Sequence, residues 1–212
     1  MINNEMKGTS TQCNYLNPQQ RGFSLVEMAV VLVIIGLLIG GVMQGQSLIR
    51  AAKVRDIITT AADLTTAAAA FKGRYGVLPG DAPTATTEIQ GATGNGNGDG
   101  LISTAESANV PNHLFAAGFI KGGAIAPIRT TYGSVWLVQR SVAIAAGSPC
   151  GVAVNNTAPA APVNNLVVFS NLPGDAAAEI DGKLDDGLFN AGSIRGSVAY
   201  SNAIVQCLAL PL

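Results

Sequence analysis

The chain has 212 residues, 48% of them hydrophobic and only 12% charged, and a formal net charge of −1. That balance is poorly suited to binding nucleic acid by bulk electrostatics. The length suits one membrane helix plus a single domain of about 140 residues.

Residues 1–22 are polar, rich in Asn, Gln and Thr, and carry Lys7 and Arg21 against one acid, Glu5. They lack the apolar core that an ordinary secretory signal places before its cut site. The apolar run comes afterwards: of the 21 residues from Phe23 to Met43, only Ser24 and Glu27 are polar. As a helix, this run spans roughly 30 Å, about one hydrocarbon core. Lys7 and Arg21 favour a cytoplasmic start by the positive-inside rule, and Arg50, Lys53 and Arg55 beyond its far end weaken that argument. Glu27 is the anomaly, because a carboxylate within a membrane helix costs ~2.5–3.5 kcal/mol and calls for a partner. A cut before Phe23 would create an α-amino group one helical turn from Glu27. The same amine on a neighbouring copy is a natural counter-charge.

The run Gly22-Phe23-Ser24-Leu25-Val26-Glu27, with Arg21 before it and an apolar stretch after it, resembles the processing site of type IV prepilins and type II secretion pseudopilins. The resemblance implies cleavage between Gly22 and Phe23 by a prepilin peptidase, methylation of the new Phe23 terminus, and docking guided by Glu27. It implies further partners: other pilin or pseudopilin subunits, an inner-membrane assembly platform and membrane lipid. The exported part would face the periplasm of a bacterium before joining a pilus or pseudopilus. Removal of the leader would leave ten basic and twelve acidic residues.

The helix is expected to continue past the membrane. Val54, Ile57, Ala61, Leu64, Ala68, Phe71 and Tyr75 recur at alternating steps of three and four, one apolar stripe on an amphipathic helix. Gly73, Gly76 and Pro79 end it. A helix from Phe23 to Arg74 would be roughly 75 Å long, and the following domain should cover its stripe. The resulting organisation is a leader over 1–22, a transmembrane half over 23–43, a periplasmic amphipathic half over 44–76 and a globular head over 77–212. The fold class is α+β, a long N-terminal helix packed on a small antiparallel sheet. That this adds up to a pilin-like architecture is what the resemblance implies.

Leu78-Pro79-Gly80-Asp81 reads as a turn, and the same tetrapeptide recurs at Leu172–Asp175. From Asn95, oxygen side chains fall at positions 1, 3, 5, 9 and 12 of a Ca²⁺ loop: Asn95, Asn97, Asp99, Ser103 and Glu106. Leu101 would offer its carbonyl at position 7, and Gly100 falls at the sharp turn. Asn replaces the usual Asp at the first position, so calcium affinity should be weak. A Gly/Asn-rich surface turn followed by a helix start is the alternative reading of the same residues.

Pro111–Ile120 reads as a short helix, and its His113, the only histidine, as structural. Strands are expected at Ser134–Val138, with an extension to Ile144, and at Leu166–Phe169. Ser193–Tyr200 and Ala203–Leu208 form a closing pair around Ser201-Asn202. Ala146–Asn165 reads as a loop. Asp175–Gly187 begins as a helix capped by Asp175 or Gly174 and ends in an acidic turn. There, Asp181, Asp185 and Asp186 suit either a second cation site or an ordinary solvated turn.

Cys13 would leave with the leader, so Cys150 and Cys207 remain. If that part is exported, a disulfide between them is the default, and two buried thiols the alternative. It would close a loop of about 58 residues, worth up to ~4 kcal/mol. A loop-to-C-terminus bridge also resembles the way pilins tie down their C-terminal region. No nucleophile elbow, zinc spacing or phosphate loop is present, so an enzyme is not expected. The expected function is a filament-forming structural subunit. A minor pilin acting as adhesin or recognition module, and a signal-anchored periplasmic protein with no filament role, are the alternatives.

Overall fold

The computed structural model describes residues 22–121, 128–139, 164–201 and 204–212. It divides into two compact units, Met1–Gly45 and Gln46–Leu212. Helix α1, Leu25–Tyr75, supplies residues to both.

In the first unit, α1 is apolar on every side. Every residue from Gly22 to Gln44 is exposed. The most apolar 18-residue stretch of the helix has a mean hydropathy of 2.7 and no buried residue. Backbone hydrogen bonds within the helix satisfy its own amides and carbonyls, which is what a hydrocarbon environment demands. Water gives such a surface no means of burying itself, so its length and composition fit a membrane anchor.

The second unit is built on the other half of α1. Val54, Ile57, Ala61, Leu64, Ala67, Ala68 and Phe71 are buried, and Tyr75 is half-buried. This is the expected stripe with Ala67 added. Thr59, Thr65 and Thr66 turn their hydroxyls back onto the carbonyls of Arg55, Ala61 and Ala62 at 2.8–2.9 Å, which lets threonine sit in a helix without an unmet polar group. The helix stops at Gly76, whose amide donates to the Lys72 carbonyl at 2.8 Å. Its φ of +78° is the left-handed cap conformation that glycine adopts freely.

Three short helices follow: α2 (Ala85–Glu88), α3 (Thr104–Ser107) and α4 (Val110–Ala116). Five antiparallel strands then form one sheet in the order β1-β2-β3-β5-β4. They are β1 (Ile128–Arg129), β2 (Ser134–Gln139), β3 (Asn165–Pro173), β4 (Arg195–Gly196) and β5 (Ile204–Pro211). Helix α5 (Gly174–Leu184) leaves directly from the end of β3.

Side-chain alternation divides the sheet's two faces. Val135, Leu137, Val167, Phe169, Leu208 and Leu210 join the α1 stripe in the main core, with Ala176, Ala177 and Ile180 of α5 and Leu114 of α4. Val138, Leu166, Val168, Cys207 and Ala209 form a second buried cluster. β3 lies centrally, pairing with β2 (Val167 opposite Leu137) and β5 (Val167 opposite Leu210). Burial on both faces explains why Leu166–Phe169 is an unbroken apolar run rather than an alternating one.

Several boundaries differ from expectation. β3 runs four residues further, to Pro173, because Leu172 and Pro173 still pair with Val205 and Ile204. The helix expected over Pro111–Ile120 is α4, and it ends at Ala116, just before Gly118 with its φ of +79°. Pro173 rather than Asp175 or Gly174 precedes α5. Asp175 instead faces Arg50 of α1 at 2.6 Å, a half-exposed pair of small energetic weight. The closing pair exists, but its ladder holds only Arg195–Gly196, opposite Ala209 and Leu208. Beyond Gly196, Ser197 still exchanges hydrogen bonds with Cys207, its amide donating to the Cys207 carbonyl at 2.8 Å, and further on Tyr200 bonds to Asp181. β1 was not expected, since two residues carry too little periodicity to register. The extension to Ile144 and nearly all of the expected loop at 146–165 lie outside the described residues.

Phe71 is 0% exposed and packs against Tyr75, His113 and Phe119, with ring centroids 4.6, 6.1 and 6.1 Å away. Replacing it with alanine should cost about 3–5 kcal/mol. Denaturant unfolding of the full chain in detergent measures this loss. A cost under about 1 kcal/mol would show that the stripe does not anchor the core.

Candidate functional site

The N-terminal site begins at Gly22 and Phe23, the first two described residues, with Phe23 73% exposed. The Ser24 carbonyl accepts from the amides of Glu27 and Met28 at 3.0 and 3.2 Å, which starts the helix. Glu27 lies in the first turn, where a negative charge complements the helix dipole. It is exposed, and neither of the two ion pairs among the described residues involves it. Gly22 and Phe23 therefore directly precede the helix, and the Glu27 carboxylate in its first turn is exposed.

The loop from Asn95 to Glu106 folds around a residue that was expected only to make a turn. Asp81 is 1% exposed. Its Oδ1 accepts from the amides of Gly98 at 2.7 Å and Asp99 at 3.2 Å, and its Oδ2 from the amide of Gly100 at 2.9 Å. A Cβ on Gly96 would collide with the Asp81 backbone, so the loop needs glycine there to close on the carboxylate. Asn165 ties the loop to β3, accepting from Ile102 at 2.9 Å and donating to Gly100 at 3.0 Å.

The expected calcium ligands are spent on the same network. Asn95 Oδ1 accepts from the amide and hydroxyl of Thr86, and Asn97 Oδ1 from the amide of Asp99. Asp99 accepts from Leu101 N on one oxygen and from Asn97 Nδ2 on the other. Glu106 Oε1 accepts from Asn97 N at 2.9 Å, and its Oε2 from Ser103 N at 2.8 Å. Ser103 and Glu106 form a capping box at the start of α3, which Ser-x-x-Glu could have signalled. Each of these side chains thus accepts hydrogen bonds from the chain itself, while Asn95, Asn97 and Asp99 remain exposed and Glu106 is buried. Leu101, expected to contribute its carbonyl, lies in the same turn between Gly100 and Ile102.

His113 is fully buried beside this loop. Its Nδ1 accepts from the Gly80 amide at 2.9 Å, and its Nε2 lies 3.0 Å from the Gly94 carbonyl, so the Nε2–H tautomer satisfies both. Burial pushes its pKa below the ordinary value of 6.5, against smaller upward contributions from the Gly94 and Thr93 backbone. The ring thus fastens the Leu78–Asp81 turn to the Gly94 end of the loop. Cys207 is fully buried on β5 and is not a free thiol. Cys150, its expected partner, lies outside the described residues.

Asp81→Ala would strand several amides and should lower stability by about 3 kcal/mol, read by denaturant unfolding. An unchanged midpoint would remove Asp81 from the centre of the loop. His113 is neutral in the fold and readily protonated once unfolded. Its contribution is therefore complete above the unfolded pKa of about 6.5 and declines as pH falls below it, towards the lowered folded value. The thermal midpoint should drop between about pH 7.5 and 5.5, and His113→Asn, though less stable, should flatten that slope. Parallel pH slopes for the two proteins would contradict this role.

The prokaryotic N-terminal methylation motif matches residues 17–43 of this chain, a span that holds Gly22, Phe23, Glu27 and the first part of α1. No curated protein and no solved structure gives a significant match. The motif runs into the long helix and precedes a small antiparallel sheet, a layout like that of type IV pilin-like proteins and pseudopilins.

Proposed function

We propose that this chain is a structural filament subunit of the type IV pilin class. Prepilin peptidase would cut between Gly22 and Phe23 and methylate the Phe23 amine. The first half of α1 would then hold the protein in the inner membrane, with the 77–212 head in the periplasm, until the subunit enters a pilus or secretion pseudopilus. The single observation that carries this reading is the apolar helix of the first unit. It is exposed on all sides, bears one carboxylate and starts within the methylation motif.

The chemistry of assembly follows from that charge. Glu27 in hydrocarbon costs ~2.5–3.5 kcal/mol until it is paired. The methylated Phe23 amine of a neighbouring subunit stays cationic and supplies the pair. A helix packed among like helices also covers side chains that nothing in one chain covers. A Cys150–Cys207 disulfide belongs to this reading, since the exported compartment is oxidising.

The N-terminal mass of membrane-fraction protein tests the processing step. It should begin at methylated Phe23 when the peptidase is present and retain residues 1–22 when it is absent. Retention in both strains would leave a signal-anchored protein with no filament role. Glu27→Leu should still be inserted and processed, yet enter filaments at least about tenfold less, equivalent to ~1.4 kcal/mol of lost pairing. Undiminished incorporation would exclude Glu27 as the assembly contact.

A further inference from the structure

The run from Asn95 to Gly100 places three chemically labile steps in a row: Asn95-Gly96, Asn97-Gly98 and Asp99-Gly100. In such a step the glycine amide nitrogen loses its proton and attacks the side-chain carbonyl carbon of the residue before it. The new N–C bond closes a succinimide, and ammonia leaves from asparagine or water from a protonated aspartate. Water then opens the ring to aspartate or to isoaspartate, whose main chain is one carbon longer. Glycine makes the step fast, because no Cβ hinders the approach or restricts the backbone. Asparagine is a thermolabile residue largely through this reaction.

The loop cannot exchange these glycines for safer residues. A Cβ on Gly96 would collide with the Asp81 backbone, and Gly98 and Gly100 have φ of +78° and +84°. Burial does not shield the run either, since Asn95, Asn97 and Asp99 are exposed. The three nucleophiles, however, are all engaged. Gly98 N donates to Asp81 Oδ1 at 2.7 Å and to the Asp81 carbonyl at 2.9 Å. Gly100 N donates to Asp81 Oδ2 at 2.9 Å, and Gly96 N to the Ala82 carbonyl at 2.8 Å. The side chain of Asn97 is held too, its Oδ1 by Asp99 N and its Nδ2 by Asp99 Oδ2.

An amide that donates to a carboxylate resists ionisation, because its anion would face a negative charge. That hydrogen bond must break before the nitrogen can attack. We infer that Asp81 is a chemical guard as well as a structural clamp: it keeps the Asn97-Gly98 and Asp99-Gly100 steps unreactive, and Asn97 becomes a deamidation site when the clamp opens. Reaction then waits on local opening of the loop, and its rate follows the open fraction. Isoaspartate at position 97 would shift the Gly98 amide away from Asp81, so a single event would prevent the loop from closing as before. The inference stands independently of the filament reading.

Peptide mass mapping of the full chain, aged in detergent in mildly alkaline buffer with and without urea, tests the guard. Asn97 should deamidate at least about tenfold more slowly without urea, the ratio that corresponds to an opening free energy of ~1.4 kcal/mol. Asp81→Asn keeps the side chain's size and removes its charge. It should abolish most of that ratio at Asn97 and less of it at Asn95, whose glycine donates to a carbonyl. In the unaltered chain, the Gly98 and Gly100 amides should also exchange with deuterium at least about tenfold more slowly than in urea, a measurement that needs no variant. Equal deamidation of Asn97 with and without urea would overturn the inference. So would unprotected exchange at Gly98, an unchanged ratio in Asp81→Asn, or equal losses of protection at Asn95 and Asn97.

Discussion

The second unit depends on the contact between one stripe of α1 and one face of the sheet. Val54, Ile57, Leu64 and Phe71 lie along the helix at steps of three or four, or sums of them, so they share a side. Val135, Leu137, Val167, Phe169, Leu208 and Leu210 share a sheet face because strand side chains alternate. Neither surface can leave water without the other. The remaining helices take their places around this contact: α4 brings Leu114 and His113 to Phe71, and α5 brings Ala176, Ala177 and Ile180. The small side chains of α5 allow its backbone to approach the core closely.

Two buried aspartates show how the same side chain can serve opposite ends. Asp81 is met by three backbone amides, so its burial organises a loop rich in glycine and asparagine. An ionised carboxylate is stable inside a protein when enough donors point at it. Asp181 meets one hydroxyl and leaves its other oxygen bare. Burial pushes its carboxyl pKa up, with the Asp185 and Asp186 charges adding to the effect and Tyr200 opposing it.

The two Leu-Pro-Gly-Asp tetrapeptides make the same point at the level of sequence. In the first, Asp81 is buried at the centre of a clamp. In the second, Asp175 sits half-exposed in the opening turn of α5, beside Arg50. Four identical residues gave two environments because the segments after them differ. One is followed by a run of amides that can curl back, the other by alanines that continue as helix.

Much of this protein was legible in the residues alone. Gly22, Phe23 and Glu27, the apolar run to Met43, the stripe to Phe71 and the strands at Ser134 and Leu166 are local periodicities or short motifs, and local hydrogen bonding and burial act on them directly. The Asn95–Glu106 spacing suits either a calcium loop or a Gly/Asn-rich turn before a helix start, because spacing alone cannot say what an oxygen faces. The fold gave those oxygens hydrogen-bond donors of the chain and supplied Asp81 from 17 to 19 residues away along the chain. Likewise, nothing in the acidic turn indicated that Asp181 would be buried, or that Tyr200 would reach it, since chain separation hides such a contact until β4 and β5 are paired. The sequence by itself determined the helix, its apolar and amphipathic halves and the methylation motif. Only the tertiary structure decided which carboxylates are satisfied, because the donors that satisfy them come from elsewhere in the chain.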